Sequence, residues 1–133
     1  MLDSHVLIFF RLRGPLSDRI RHLDGGVFSH VALSLGGDDI LEAAPPQVRI
    51  GSLLARTREA DHIGVYQLHR PLVKSISKII HTPYDWNWLS GKDANHPEYL
   101  HCATLIGHLF DLVGPRHPNL SLSELIAFCG REG

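Results

Sequence analysis

The stretch that most narrows what this chain can fold into runs from residue 27 to residue 45, "VFSHVALSLGGDDILEAAP". Apolar alternation on either side of a Gly-Gly-Asp-Asp segment predicts an antiparallel hairpin. In its first strand the odd positions Val27, Ser29, Val31, Leu33 and Leu35 form a mostly apolar face, while Phe28, His30, Ala32 and Ser34 point the other way. The turn then decides which residues of "DDILEAAP" share the His30 face, because a slip of one residue turns every side chain over. A three-residue loop at 36–38 pairs Leu35 with Asp39, Ala32 with Glu42 and His30 with Ala44. Glu42 then sits diagonal to His30, roughly 7–8 Å away between backbones and within reach of two long side chains. A two- or four-residue loop would instead leave the carboxylate unpaired beside Val31 and Leu33, a costly place for a charge. The favoured register joins Glu42 to His30 on one face.

The rest of the chain supplies partners for this hairpin. "HVLIFFRL" reads as a buried strand, and "PLSDRIRHL" as a short helix with Pro15 near its start and Gly25-Gly26 past its end. "QVRIGSLL" predicts a short strand running into an irregular segment, and "HIGVYQLH", residues 62 to 69, alternates like another strand. "PLVKSISKII" has a helical spacing at Leu72, Val73, Ile76, Ile79 and Ile80. "HTPYDWNWLSGKDANHPE" is a long polar and aromatic loop of the kind that lines sites. "YLHCATLIGHLFDLVG" is the strongest helix, with Cys102, Leu105, Ile106, Leu109 and Val113 along one face and Gly114-Pro115 ending it. "SLSELIAFCG" opens on a capping-box pattern, Ser121 with Glu124, and Gly130 reads as its stop. Strand, helix, several strands and then helices make an α+β domain, and 133 residues without repeat or linker make it a single one, residues 1–133.

Charge and composition exclude some partners. Thirteen Lys and Arg against fourteen Asp and Glu leave a formal charge of -1, with no long block of one sign to track a phosphate backbone, so nucleic acid is not an expected partner. The apolar run "HVLIFF" is too short for a signal-peptide core or a transmembrane span and has no basic segment ahead of it, which makes a cytoplasmic chain the default; delivery by a dedicated secretion system needs no such signal. Cys102 and Cys129 read as free thiols. Ten histidines raise the question of metal, yet only the adjacent His101 and Cys102 approach the spacing of a zinc pair, so neither metal nor cofactor is expected.

The chemistry centres on Cys102. The first turn of a helix offers a thiol the positive end of the macrodipole and unpaired N–H groups, which favour the thiolate. An imidazole held by a carboxylate completes a nucleophile, base and orienter, and His30 with Glu42 is the available pair. The Cys102 N–H is a candidate oxyanion donor, with Tyr84 or Tyr99 as a second. Trp86, Trp88 and Phe28 are candidates for lining an apolar groove. Cys129, near a helix end, is expected to be the less reactive thiol. Taken singly, these residues have plain structural readings: a solvated or carbonyl-bonded histidine, a surface glutamate, a small buried cysteine.

"SHVALSLGGDDILEAAPPQV", followed by "YDWNW" and then "YLHCATLIGHLF", resembles the circularly permuted papain-like cysteine hydrolases, the permuted branch of the NlpC superfamily that includes YiiX-like and lecithin:retinol acyltransferase-like proteins. The resemblance spans roughly residues 5 to 113 and falls on His30, Glu42 and Cys102, in the order histidine strand before cysteine helix. It implies a papain-like fold of permuted topology, with an antiparallel sheet packed against the cysteine-bearing helix. Glu42 as third member is more like the YiiX-type branch, since acyltransferase relatives usually have histidine there. Ala103 stands where the family often has serine, and His101 where it often has an aromatic residue; the acyltransferases' asparagine-cysteine-glutamate motif and hydrophobic C-terminal anchor are missing. The resemblance thus implies a thiol hydrolase acting on an amide of peptide or cell-wall type. The alternatives are phospholipid ester hydrolysis or acyl transfer with the same triad, and a non-enzymatic metal- or partner-binding module built on Cys102, His96, His101, His108 or Cys129.

Overall fold

The computed structural model describes residues 4–84, 102–112 and 120–132. The elements run in the order β1 (His5–Leu12), α1 (Pro15–Asp24), β2 (His30–Gly36), β3 (Asp39–Ala44), β4 (Gln47–Ser52), α2 (Leu53–Glu59), β5 (Ala60–Leu68), α3 (Ile76–Ile79), α4 (Cys102–Leu109) and α5 (Leu122–Glu132). The strands form one five-stranded sheet in the order β4-β3-β2-β1-β5, with antiparallel neighbours throughout. This is an α+β fold, as the alternation of strand and helix patterns predicts.

Period-two patterning sorts the sheet into two faces. Leu7 pairs with Leu33 and Phe9 with Val31, and these join Leu41, Ala43, Val48 and Leu68 in the main core beneath α4 and α5. The opposite face carries Ile8, Phe10, Ala32 and Ile40, covered by Leu53 of α2 with Leu12 and Ala60. Phe10 pairs with His30, so the histidine belongs to this second face.

The hairpin keeps the predicted parity with a different turn. Leu33 pairs with Leu41 and Ser34 with Ile40, and one step further along that register sets Ala32 opposite Glu42. The predicted Leu35–Asp39 pair does not form: a register shift between Ser34 and Gly36 brings Gly36 opposite Asp39. Gly36 and Gly37 both adopt positive φ, 98° and 57°, which side chains with a Cβ rarely adopt, so the glycine pair makes this turn possible. The odd-even faces do not extend back to Phe28. Strand β2 begins at His30, and Phe28 turns into the main core beside Phe9 at 5.6 Å.

Three further expectations are corrected. The segment after β4 is helical rather than irregular: α2 begins where the Ser52 hydroxyl accepts from the Ala55 N–H at 3.1 Å. The helix expected over 71–80 is only Ile76–Ile79, since the chain before it is committed elsewhere, with the Val73 N–H donating to the Leu109 carbonyl at 2.8 Å. Helix α5 runs past Gly130 to Glu132, although its capping box forms as predicted, with Glu124 N–H to Ser121 Oγ at 3.0 Å and Ser121 N–H to Glu124 Oε1 at 3.2 Å. Helix α4 is buried on more than one face, only His108 among its residues being partly exposed.

Candidate active site

The site starts with the fixing of β2. Ser29 N–H donates to the Phe10 carbonyl at 2.9 Å, and the Ser29 hydroxyl accepts from the Leu12 N–H at 3.0 Å and the Ser17 hydroxyl at 2.6 Å. These bonds lock the chain just before His30 to β1 and α1. The His30 ring then lies 6.0 Å from the Phe10 ring, and its Nε2 meets Glu42 Oε1 at 2.8 Å. His30 is 5% exposed and Glu42 1%. The hydrogen bond expected from strand parity is therefore present, in a buried setting.

Glu42 has two further partners that pattern reading missed. The Arg56 guanidinium donates through Nε to Oε1 at 2.8 Å and through Nη2 to Oε2 at 3.0 Å, and Arg49 Nε reaches Oε2 at 3.2 Å. Arg49 was in principle findable, because it is the residue directly opposite Glu42 on β4. Arg56 was hidden by the reading of its segment as irregular. Gly51 was missed as well: a Cβ there would meet Glu42 Oε2 at 2.5 Å, so only glycine leaves room for the carboxylate.

These contacts set the protonation states. Burial by itself would raise the Glu42 carboxyl, but hydrogen bonds from His30 and Arg56, with their charges, hold it well below the usual carboxylate range. For His30 burial is the largest influence and lowers its pKa; the Glu42 hydrogen bond and charge oppose this, and the Arg56 and Arg49 charges add to it. The outcome is a carboxylate beside a neutral imidazole at neutral pH. A carboxylate only accepts, so the ring proton sits on Nε2 and the lone pair on Nδ1. Nδ1 has no hydrogen-bond partner among the described residues.

Cys102 is the first residue of α4 and is 2% exposed. It packs in the main core, on the opposite side of the sheet from Glu42. The end of the sheet brings the two sides together. A cavity of about 220 Å³ is lined by Cys102 and Ala43 from the core side, by His30 at the start of β2, and by Arg56 and Glu59 from α2. Tyr84 also lines it and is buried; Tyr99, Trp86 and Trp88 lie outside the described residues, and Phe28 is not part of the wall. Among the described residues no hydrogen bond joins Cys102 to His30.

The thiol departs from the expected thiolate. Burial pushes Cys102 up to about 12, outweighing hydrogen bonds from the backbone of Val31 and Ala103 that pull it down, and the Asp24 charge adds to the rise. At rest the sulfur holds its proton.

A larger cavity of about 460 Å³ lies beside α3, lined by Lys74, Lys78 and His108 among others, and includes none of Cys102, His30 and Glu42. Volume favours that cavity; a wall shared by a thiol and a neutral imidazole, the latter bonded to a buried carboxylate, favours the smaller one. Among the described residues no three His, Cys, Asp or Glu side chains cluster as a metal site, and His96 and His101 lie outside them. Among the same residues no helix is long and apolar enough to cross a membrane. No family model matches the chain, and comparison with curated proteins and with solved structures returns no match.

Proposed function

We propose that this chain is a thiol hydrolase that cleaves an amide of peptide or cell-wall type, in a papain-like domain of permuted topology. The observation that carries this reading is the 2.8 Å bond between His30 and Glu42, beside a cavity that His30 and Cys102 line together. Cys102 Sγ attacks the acyl carbonyl while His30 Nδ1 takes the thiol proton. Because the resting thiol is protonated and the imidazole neutral, proton transfer accompanies attack rather than preceding it. Glu42 holds the Nε2–H and stabilises the imidazolium as it forms. His30 then returns the proton to the leaving amine, and water, deprotonated by the same nitrogen, releases the acid and regenerates the thiol. The N–H of Cys102, at the first position of α4, and the Tyr84 hydroxyl are the proposed oxyanion donors.

The cavity wall also supports a second reading. Leu12, Leu16, Ile20, Ala44 and Pro45 give it an apolar side that suits a hydrocarbon acyl group, which the same residues would release from a lipid ester or transfer to an acceptor. Product analysis on amide and ester substrates, with wild type beside Cys102→Ala, separates the two. Turnover of neither class by wild type, or equal turnover by Cys102→Ala, overturns the thiol mechanism. As an independent check, iodoacetamide is expected to alkylate Cys102 faster than Cys129, and His30→Ala to slow that reaction. Equal rates for the two thiols would count against it.

A further inference from the structure

Glu42 has more donors than the orientation of one imidazole requires. Oε1 accepts from His30 Nε2 and Arg56 Nε, and Oε2 accepts from Arg56 Nη2 and Arg49 Nε. A carboxylate offers about four lone-pair sites, so these four bonds fill it. The two Arg56 bonds come from one planar fork and reach both oxygens, which fixes the carboxylate plane as well as its position. The third arm of that guanidinium, Nη1, bonds Glu59 Oε2 at 3.0 Å and ties the fork to its own helix. Gly51, where a Cβ would meet Oε2 at 2.5 Å, leaves the carboxylate the room to take this position.

We infer that Arg56 is a positioning residue whose fork on Glu42 aims Oε1 at His30 Nε2 and so keeps the basic lone pair on Nδ1. The consequence for catalysis rests on the thiol-hydrolase reading; the tautomer does not. Arg56 has a second effect through charge. The groups facing His30 are Glu42 from β3, Arg49 from β4, Arg56 with its partner Glu59 from α2, and Cys102 from α4, while β1 presents the uncharged Phe10 ring. Of these, the Glu42 charge favours the imidazolium, and the Arg56 and Arg49 guanidinium ions oppose it. Without Arg56, Glu42 would stabilise the imidazolium with less opposition, and the ring would take up a proton at higher pH.

Nitrogen-15 NMR of the His30 ring in the full chain, titrated with pH, tests this for wild type, Arg56→Lys and Arg56→Gln, with the pH profile of Cys102 alkylation measured alongside. Wild type is expected to show the Nε2–H tautomer at neutral pH. Arg56→Gln is expected to raise the His30 midpoint by about one unit and to move the acid limb of alkylation with it. Arg56→Lys keeps the charge and loses the fork, so its midpoint stays near wild type while the alkylation rate falls about tenfold or more. A loss of rate in Arg56→Gln with midpoint and tautomer unmoved would mean general structural support and would overturn the inference. Should neither variant fold, the wild-type spectrum still decides, since an Nδ1–H tautomer contradicts the proposed aim of Glu42. If His30 shifts as expected while Cys102 neither labels nor turns over substrate, the positioning role stands and the hydrolase reading falls.

Discussion

A carboxylate at 1% exposure is tolerable only when its lone pairs are answered, and Glu42 is answered by a histidine and two arginines. Removing it leaves the Arg56 guanidinium, 13% exposed, without its main counter-charge. Glu42→Ala is therefore expected to destabilise the fold by about 3–5 kcal/mol, the range for breaking a buried pair from one side. Urea unfolding measures it, and a loss within the scatter of an ordinary surface substitution would show the pair to be solvated. At this scale the sequence was informative about the histidine and the glutamate, since strand parity alone puts them on one face. It misled about the thiol. A first-turn position argues for a thiolate, but the sign is decided by how deeply the residue is buried, and that depends on elements far away in the chain. Asp24, which bonds the Leu122 N–H at 2.7 Å and raises the Cys102 thiol, is such a distant contributor.

At the scale of elements, the hairpin that carries His30 and Glu42 also starts the helix that holds them. Asp38 in its turn accepts from the Leu54 N–H and from the Ser52 hydroxyl, both at 2.7 Å, and its carbonyl accepts from the Leu53 N–H at 2.8 Å. These bonds satisfy the first N–H groups of α2 and place Arg56 one turn further on, over Glu42. Ser52→Ala removes the cap and is expected to cost about 1 kcal/mol. Hydrogen exchange at Ala55 should quicken with it, and slower reaction of Cys102 with iodoacetamide should follow as Arg56 loosens. Exchange unchanged from wild type would mean that α2 is held by packing alone. This helix was not legible in "GSLLARTRE", because seven residues are too few for a convincing apolar stripe and no residue of α2 is fully buried. The signal that exists is an acceptor pair, Asp38 and Ser52, brought together by β3–β4 pairing; a serine before a short run says little until that register is known.

For the molecule as a whole, the same buried groups fix how stability responds to pH. His30 is lowered from 6.5 in the folded chain, so below that value the unfolded chain binds a proton that the folded one refuses, and stability falls. His108, lowered by burial and by Lys74, adds to this slope. Glu42 is held below 4.5, so a second loss begins as pH drops past that value and the unfolded carboxyl takes its proton. Cys102 works in the other direction. Its unfolded thiol ionises near 9.0 and the folded one near 12, so stability is intact below 9.0 and is lost as pH rises toward 12. At about pH 7.5 to 8 none of these four groups changes protonation appreciably in either state, and stability should lie on a plateau. Urea midpoints taken from about pH 4 to about pH 10 trace the profile. Cys102→Ala should flatten the alkaline side and leave the acid side in place, because the thiol and the His30–Glu42 pair are separate groups that meet only at the end of the sheet. A midpoint that rises as pH falls from 7 to 5 would show His30 to be protonated in the folded chain, and the proposed base would then be absent.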